Sequence, residues 1–194
     1  MPNHVFRVIA VLIFPVAVFL AVAKLQSSHS GRDAALAAAN LSSRDTLNMR
    51  WHYDTADVDR FWGRLGSSGR VAEQRFLEED LIFPTFYGGA LALSLYWMLS
   101  MARLSWKRWL VLLPVVIGVV GDWTENLTQL DQLRNYIANG INGLDADAIF
   151  RSSLATDAKL SGVIVADILL LVLAWMAITR PSPRIYFGHV AHTS

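Results

Sequence analysis

Asp122 and Glu125 stand near the end of one apolar stretch of the chain, and Asp167 lies inside another. A carboxylate at membrane depth is costly, so one placed there faces a protein interior or a wet cavity and is commonly paired. Asp122 and Glu125 are three residues apart and Asn126 is four from Asp122, so on a helix they share a face. Carboxylates gathered in this way can do three kinds of work. Two in unequal environments can divide acid and base roles, and three or four converged oxygens can hold Mg²⁺ or Ca²⁺. An open, carboxylate-lined pocket takes a small cation, a lipid headgroup or a polar metabolite. Paired with lysine or arginine instead, the same groups are ties between helices, each contributing about 0.6–2 kcal/mol. The residues leave these readings open and name no cofactor.

The elements that must position these groups follow from composition. Of 194 residues, 54% are hydrophobic and 17% charged, against about 25% charged in a soluble domain. The apolar residues are concentrated in four stretches, 5–23, 81–101, 109–127 and 160–178, each close to the roughly 20 residues that cross a hydrocarbon core. The expected fold is all-α, a four-helix transmembrane bundle forming one membrane domain. Ala21-Val22-Ala23 has the small-x-small form of a signal-peptidase site, but the apolar run before it is long for a signal peptide, and a retained anchor is the favoured reading. Net charge is +1, which gives no basic field for nucleic acid. The bilayer is the first partner, with a small-molecule or lipid ligand and a membrane-protein partner both open.

Loop charge sets the expected orientation. Arg103, Lys107 and Arg108 separate the second and third stretches with no acid among them, and Arg180 and Arg184 follow the fourth. Asp131, Asp145, Asp147 and Asp157 outnumber Arg134 and Arg151 between the third and fourth. The basic segments are therefore expected in the cytoplasm, with both termini, and the protein in a plasma (inner) membrane. Residues 24–80 then form an extracytoplasmic module with eight basic and nine acidic side chains. In it, alanines and leucines at helical spacing predict a surface helix over 33–49. Asp54 or Thr55 is the expected cap of a short helix ending at Gly66. The next helix is expected to run unbroken into the second stretch, kinked at Pro84. Trp51, Tyr53, Phe61 and Trp62 suit either an interfacial belt or a small core.

At a rise of about 1.5 Å per residue, Asp122 and Asp167 both fall roughly 10 Å inside the outer face, with Asp80 and Glu125 nearer the mouth. Gly118 and Gly121 allow a neighbouring helix to approach. Tyr87 lies about two turns beyond Asp80, on a stripe with Glu73 and Phe76. Arg70, Arg75 and Lys159 are the candidate counter-charges. The candidate ligand-binding set is therefore Asp122, Glu125, Asn126, Asp80, Asp167, Tyr87, Arg70 and Lys159.

Other chemistry is poorly served. The chain has no cysteine, which excludes disulfides and thiolate sites. Neither H-E-x-x-H nor G-x-S-x-G nor a phosphate-binding glycine pattern occurs. No histidine falls in an apolar stretch, and His189 and His192 near the end are only a pair.

The order Tyr53-Asp54, Leu65-Gly66, Gly69-Arg70, Asp80-Leu-Ile-Phe83-Pro84 with Tyr87, Gly121-Asp122 with Glu125-Asn126, then Lys159 resembles a group of small, uncharacterised four-span membrane proteins. The resemblance covers residues 53 to about 178. It implies no activity, but it implies that Arg70, Asp80, Asp122, Glu125, Asn126 and Lys159 belong to one unit.

Overall fold

The computed structural model describes residues 2–102, 104 and 108–179, with the backbone alone for 2–4 and 108. Arg103, Lys107, Arg180, Arg184, His189 and His192 lie outside the described residues, as does the Arg108 side chain. All regular structure among the described residues is helical: α1 (Pro2–Ser30), α2 (Arg32–Ala38), α3 (Thr55–Asp80), α4 (Phe83–Met101), α5 (Arg108–Asn139) and α6 (Ala146–Thr179). Short 3₁₀ turns at Ser43–Asp45, Leu47–Met49 and Gly140–Gly143 connect them. Among the described residues, four helical stretches are long and apolar enough to cross a membrane. At about 1.5 Å per residue, α5 and α6 reach about 48 and 51 Å, well beyond a hydrocarbon core of about 30 Å. The expected stretches at 109–127 and 160–178 are therefore the apolar parts of longer rods, and Lys159 is an interior residue of α6.

Two apolar cores stack along the bundle. One joins α1, α4, α5 and α6 through Val8, Leu95, Met98, Val115, Leu170 and Leu173. The other lies in the cap between α3 and the far ends of α5 and α6, built on Leu47, Val58, Phe61, Trp62, Leu133 and Ile149. Tyr53, Phe61 and Trp62 are buried there, whereas Trp51 is 54% exposed, so three of the four aromatics form the small core. The polar residues of α5 from Asp122 to Gln129 fall between its contributions to the two cores.

The predicted surface helix is shorter than its pattern. α2 ends at Ala38, and Asn40 turns out of it with φ 53°. Asp54 caps α3 as expected: its side chain accepts from Asp57 N at 2.9 Å, and Asp57 accepts from Asp54 N at 3.4 Å. Gly66 interrupts α3 with φ 67° and ψ −177°, a conformation essentially confined to glycine. The unbroken run into α4 does not form. The chain breaks at Leu81 and Ile82, and α4 begins with Pro84 in its first turn, where a missing N–H costs nothing. Pro84 starts a helix instead of kinking one.

Candidate functional site

That break builds the first part of the site. Proline at 84 has no N–H to offer the carbonyl four residues back, and the Asp80 carbonyl instead accepts from Asn126 Nδ2 at 3.3 Å. Leu81 O, likewise outside a helical ladder, accepts from Trp123 Nε1 at 2.8 Å. Two side chains of α5 thus replace the main-chain bonds lost between α3 and α4.

The second part comes from the contact of α5 with α6. A Cβ at Gly121 would lie 2.8 Å from Ala155 O and 2.9 Å from Lys159 N, and one at Gly162 2.6 Å from Pro114 O. Glycine at these places lets the two backbones touch. The result holds Lys159 over the face of α5 that carries the acids. Its ammonium stands 2.5 Å from Glu125 Oε2 and 3.4 Å from Asp122 Oδ1. Asp122 also accepts from Tyr87 OH at 3.1 Å and from Asn126 Nδ2 at 3.3 Å.

The network continues to both sides. Gln129 Nε2 donates to Glu125 Oε1 at 2.9 Å and to Tyr53 OH at 3.1 Å. Tyr53 OH is also 2.7 Å from Ser152 Oγ, and its backbone N donates to Ser153 Oγ at 3.1 Å. On the other side Gln26 Nε2, from α1, donates to Asp80 Oδ1 at 2.9 Å. Glu73, Asp80, Asp122, Glu125, Asn126 and Lys159 are all less than 9% exposed. Burial, reinforced by the nearby Glu125 charge, raises the Tyr53 phenol above its usual value.

Of the eight expected site residues, Asp80, Tyr87, Asp122, Glu125, Asn126 and Lys159 converge. Arg70 does not: it donates to Trp62 O at 3.1 Å and lies 5.6 Å from the Tyr136 ring, inside the cap. Asp167 stands apart as well. It opens into a groove of about 530 Å³ between α1, α4 and α6, lined by Leu12, Val16 and Phe19, by Tyr87 and Leu91, and by Val163 and Leu171. Tyr87 is the link, its ring in the groove wall and its hydroxyl on Asp122.

Several members were not anticipated. Gln129 is four residues beyond Glu125, and Ser152 and Thr156 precede Lys159 at helical steps; reading α6 as starting near 146 would have placed them. Gln26 carries no such pattern. Nor was a second buried pair foreseen: Arg32 holds Glu73 through two bonds, of 2.6 and 2.9 Å, with its guanidinium 3.7 Å from the centre of the Phe76 ring. This fork ties α2 to α3.

Chemically, the buried network is occupied by its own side chains. The Lys159 ammonium takes the central position that a divalent cation would need, and among the described residues no three carboxylate or imidazole groups converge as metal ligands. The small cavity beside Tyr53, Gln129 and Ser152 measures about 10 Å³, at the limit for one water molecule. The groove beside Tyr87 is the roomy part, within the range of about 300–1,000 Å³ typical of ligand sites. The structure defines an all-α bundle with four helices of membrane-spanning length. No protein-family profile, curated protein or solved structure matches the chain.

Proposed function

We propose that the protein is an integral membrane protein of the plasma (inner) membrane, with both termini cytoplasmic, that binds a small amphiphile entering sideways from the bilayer. The groove between α1, α4 and α6 takes the apolar part. The carboxylates, in the outer half of the bundle, present the polar end of the site through Tyr87. The supporting observation is that one residue serves both parts: the Tyr87 ring lines the groove while its hydroxyl is bonded to Asp122. Ligand contacts at Tyr87 are thereby coupled to the Lys159 ion pairs and, through Glu125, Gln129 and Tyr53, to the cap.

A photoactivatable amphiphile with a diazirine in its chain tests this in native membranes. Labelled peptides from 12–19 and 163–171, lost in Leu171→Trp, support lateral entry. Labelling that is spread over all lipid-facing helices and unchanged by Leu171→Trp contradicts it.

A second reading is favoured by the closeness of the network itself. Lys159 lies within ion-pairing reach of both Glu125 and Asp122, which is what a tie between α5 and α6 requires. Under that reading Asp122→Asn lowers thermal stability and no ligand is retained.

A further inference from the structure

The groove holds one polar group that nothing among the described residues answers. Asp167 has no hydrogen-bond or ion-pair partner among the described residues, whereas Asp80, Asp122 and Glu125 are each engaged. Among the described residues the groove lining contains no lysine, arginine or histidine. What it offers beside the carboxylate is aromatic. Phe19 and Tyr87 are both in the wall, with ring centres 6.5 Å apart. Phe83 supports them, its ring centre 5.3 Å from that of Phe19 and 5.2 Å from that of Tyr87.

An exposed carboxylate without a partner among the described residues and two aromatic rings, lining one otherwise apolar groove, have a definite complement. A carboxylate in apolar surroundings calls for a cation. Ring faces attract a cation through their quadrupole, and alkylated ammonium groups are the cations they suit best, being large and weakly hydrated. An alcohol could bond to Asp167 but would gain nothing from the rings. A phosphate or carboxylate end would be repelled. Resting on the lateral-entry reading above, we propose that the ligand is an amphiphile with an alkylated ammonium group, its nitrogen beside Asp167, Phe19 and Tyr87 and its chain along Val16 and Leu171.

The test uses the full chain in lipid nanodiscs, titrated with dodecyltrimethylammonium or dodecanol and read by native mass spectrometry as the fraction carrying one bound probe. Leu171→Trp, which fills the groove, reports non-specific partition. The ammonium is expected to bind wild type about tenfold more tightly than the alcohol. Asp167→Asn should abolish that preference. Phe19→Leu, which keeps the carboxylate, should reduce the preference and so gives a second readout should Asp167→Asn fail to fold. Equal binding of the two probes, both blocked by Leu171→Trp, overturns the ammonium assignment and leaves lateral entry standing. Binding insensitive to Leu171→Trp overturns both. A dimer cross-linked through Leu171→Cys in membranes, with no probe bound, assigns the groove to a second copy and also overturns the proposal.

Discussion

Tyr87 and Asp122 are joined across α4 and α5 by a 3.1 Å hydrogen bond, and the same tyrosine lines the groove between α1, α4 and α6. The phenol is thus the boundary between a closed polar layer and an open apolar space. Tyr87→Phe keeps the wall and removes only the bond. A net contribution of about 0.5–1.5 kcal/mol is expected for that bond, rising to about 1.5–3 kcal/mol if Asp122 is charged. A thermal melt in detergent should show a modest loss of stability with the fold retained.

Lys159 is the only cation within ion-pairing reach of Asp122 and Glu125 among the described residues. Lys159→Met leaves both carboxylates buried and uncompensated, with an expected loss of about 3–5 kcal/mol. Adding Glu125→Gln should recover part of it. Yield and melting temperature of the single and double variants measure the coupling; additive losses would place Lys159 outside the pair.

Gly121→Ala introduces a methyl that would sit 2.8 Å from Ala155 O and 2.9 Å from Lys159 N. Backbone on the facing helix cannot give way cheaply, so overpacking should cost about 1–3 kcal/mol and shift the ammonium away from Glu125. Gly89→Ala, with nothing within 4 Å of the new methyl, is the matched control and should be close to neutral. Both are read by thermal melting.

Arg32→Ala removes the partner of Glu73, which is 0% exposed. The expected cost is about 3–5 kcal/mol, concentrated in the cap, so limited proteolysis between α1 and α3 should accelerate. Arg134→Ala breaks the exposed pair with Glu78 and should cost less than about 1 kcal/mol.

Tyr53 supplies a pH dependence. Burial, followed by the Glu125 charge, raises its phenol above the ordinary value of 10.0. The unfolded chain then releases this proton at lower pH than the folded one. Stability from this group is complete below pH 10 and is lost as pH rises from there through the raised folded value. Tyr53→Phe should flatten alkaline unfolding above pH 10 while lowering stability near neutrality, because Gln129 and Ser152 lose a partner. Unfolding curves across that range check the sign.

Much of this arrangement was legible in the residues. The spacing of Asp122, Glu125 and Asn126 placed them on one face, and counting helical rise set Asp80 and Asp167 near them in the outer half of the bundle, with Lys159 as a candidate counter-charge. Two things were hidden. Pro84 could either kink a helix or start one, and only the capture of the Asp80 carbonyl by Asn126 decides for the start. Arg70 lies close to Asp80 in sequence, but the turn at Gly66 and the Trp62 carbonyl direct its side chain into the cap. Asp167 shows the reverse limit: its place in an apolar stretch was readable, but its separation from Asp122 depends on how α1 lies against α4 and α6, which no local pattern encodes.

Lateral entry of an amphiphile into the groove beside Tyr87 is tested most directly by native mass spectrometry of protein released from nanodiscs formed from its own membranes. Wild type is compared with Leu171→Trp and with Asp122→Asn/Glu125→Gln. A discrete bound mass is expected on wild type, absent from Leu171→Trp and diminished in the double variant. Wild type free of any bound species, or one bound equally by all three proteins, contradicts it and leaves the buried carboxylates as ties between helices.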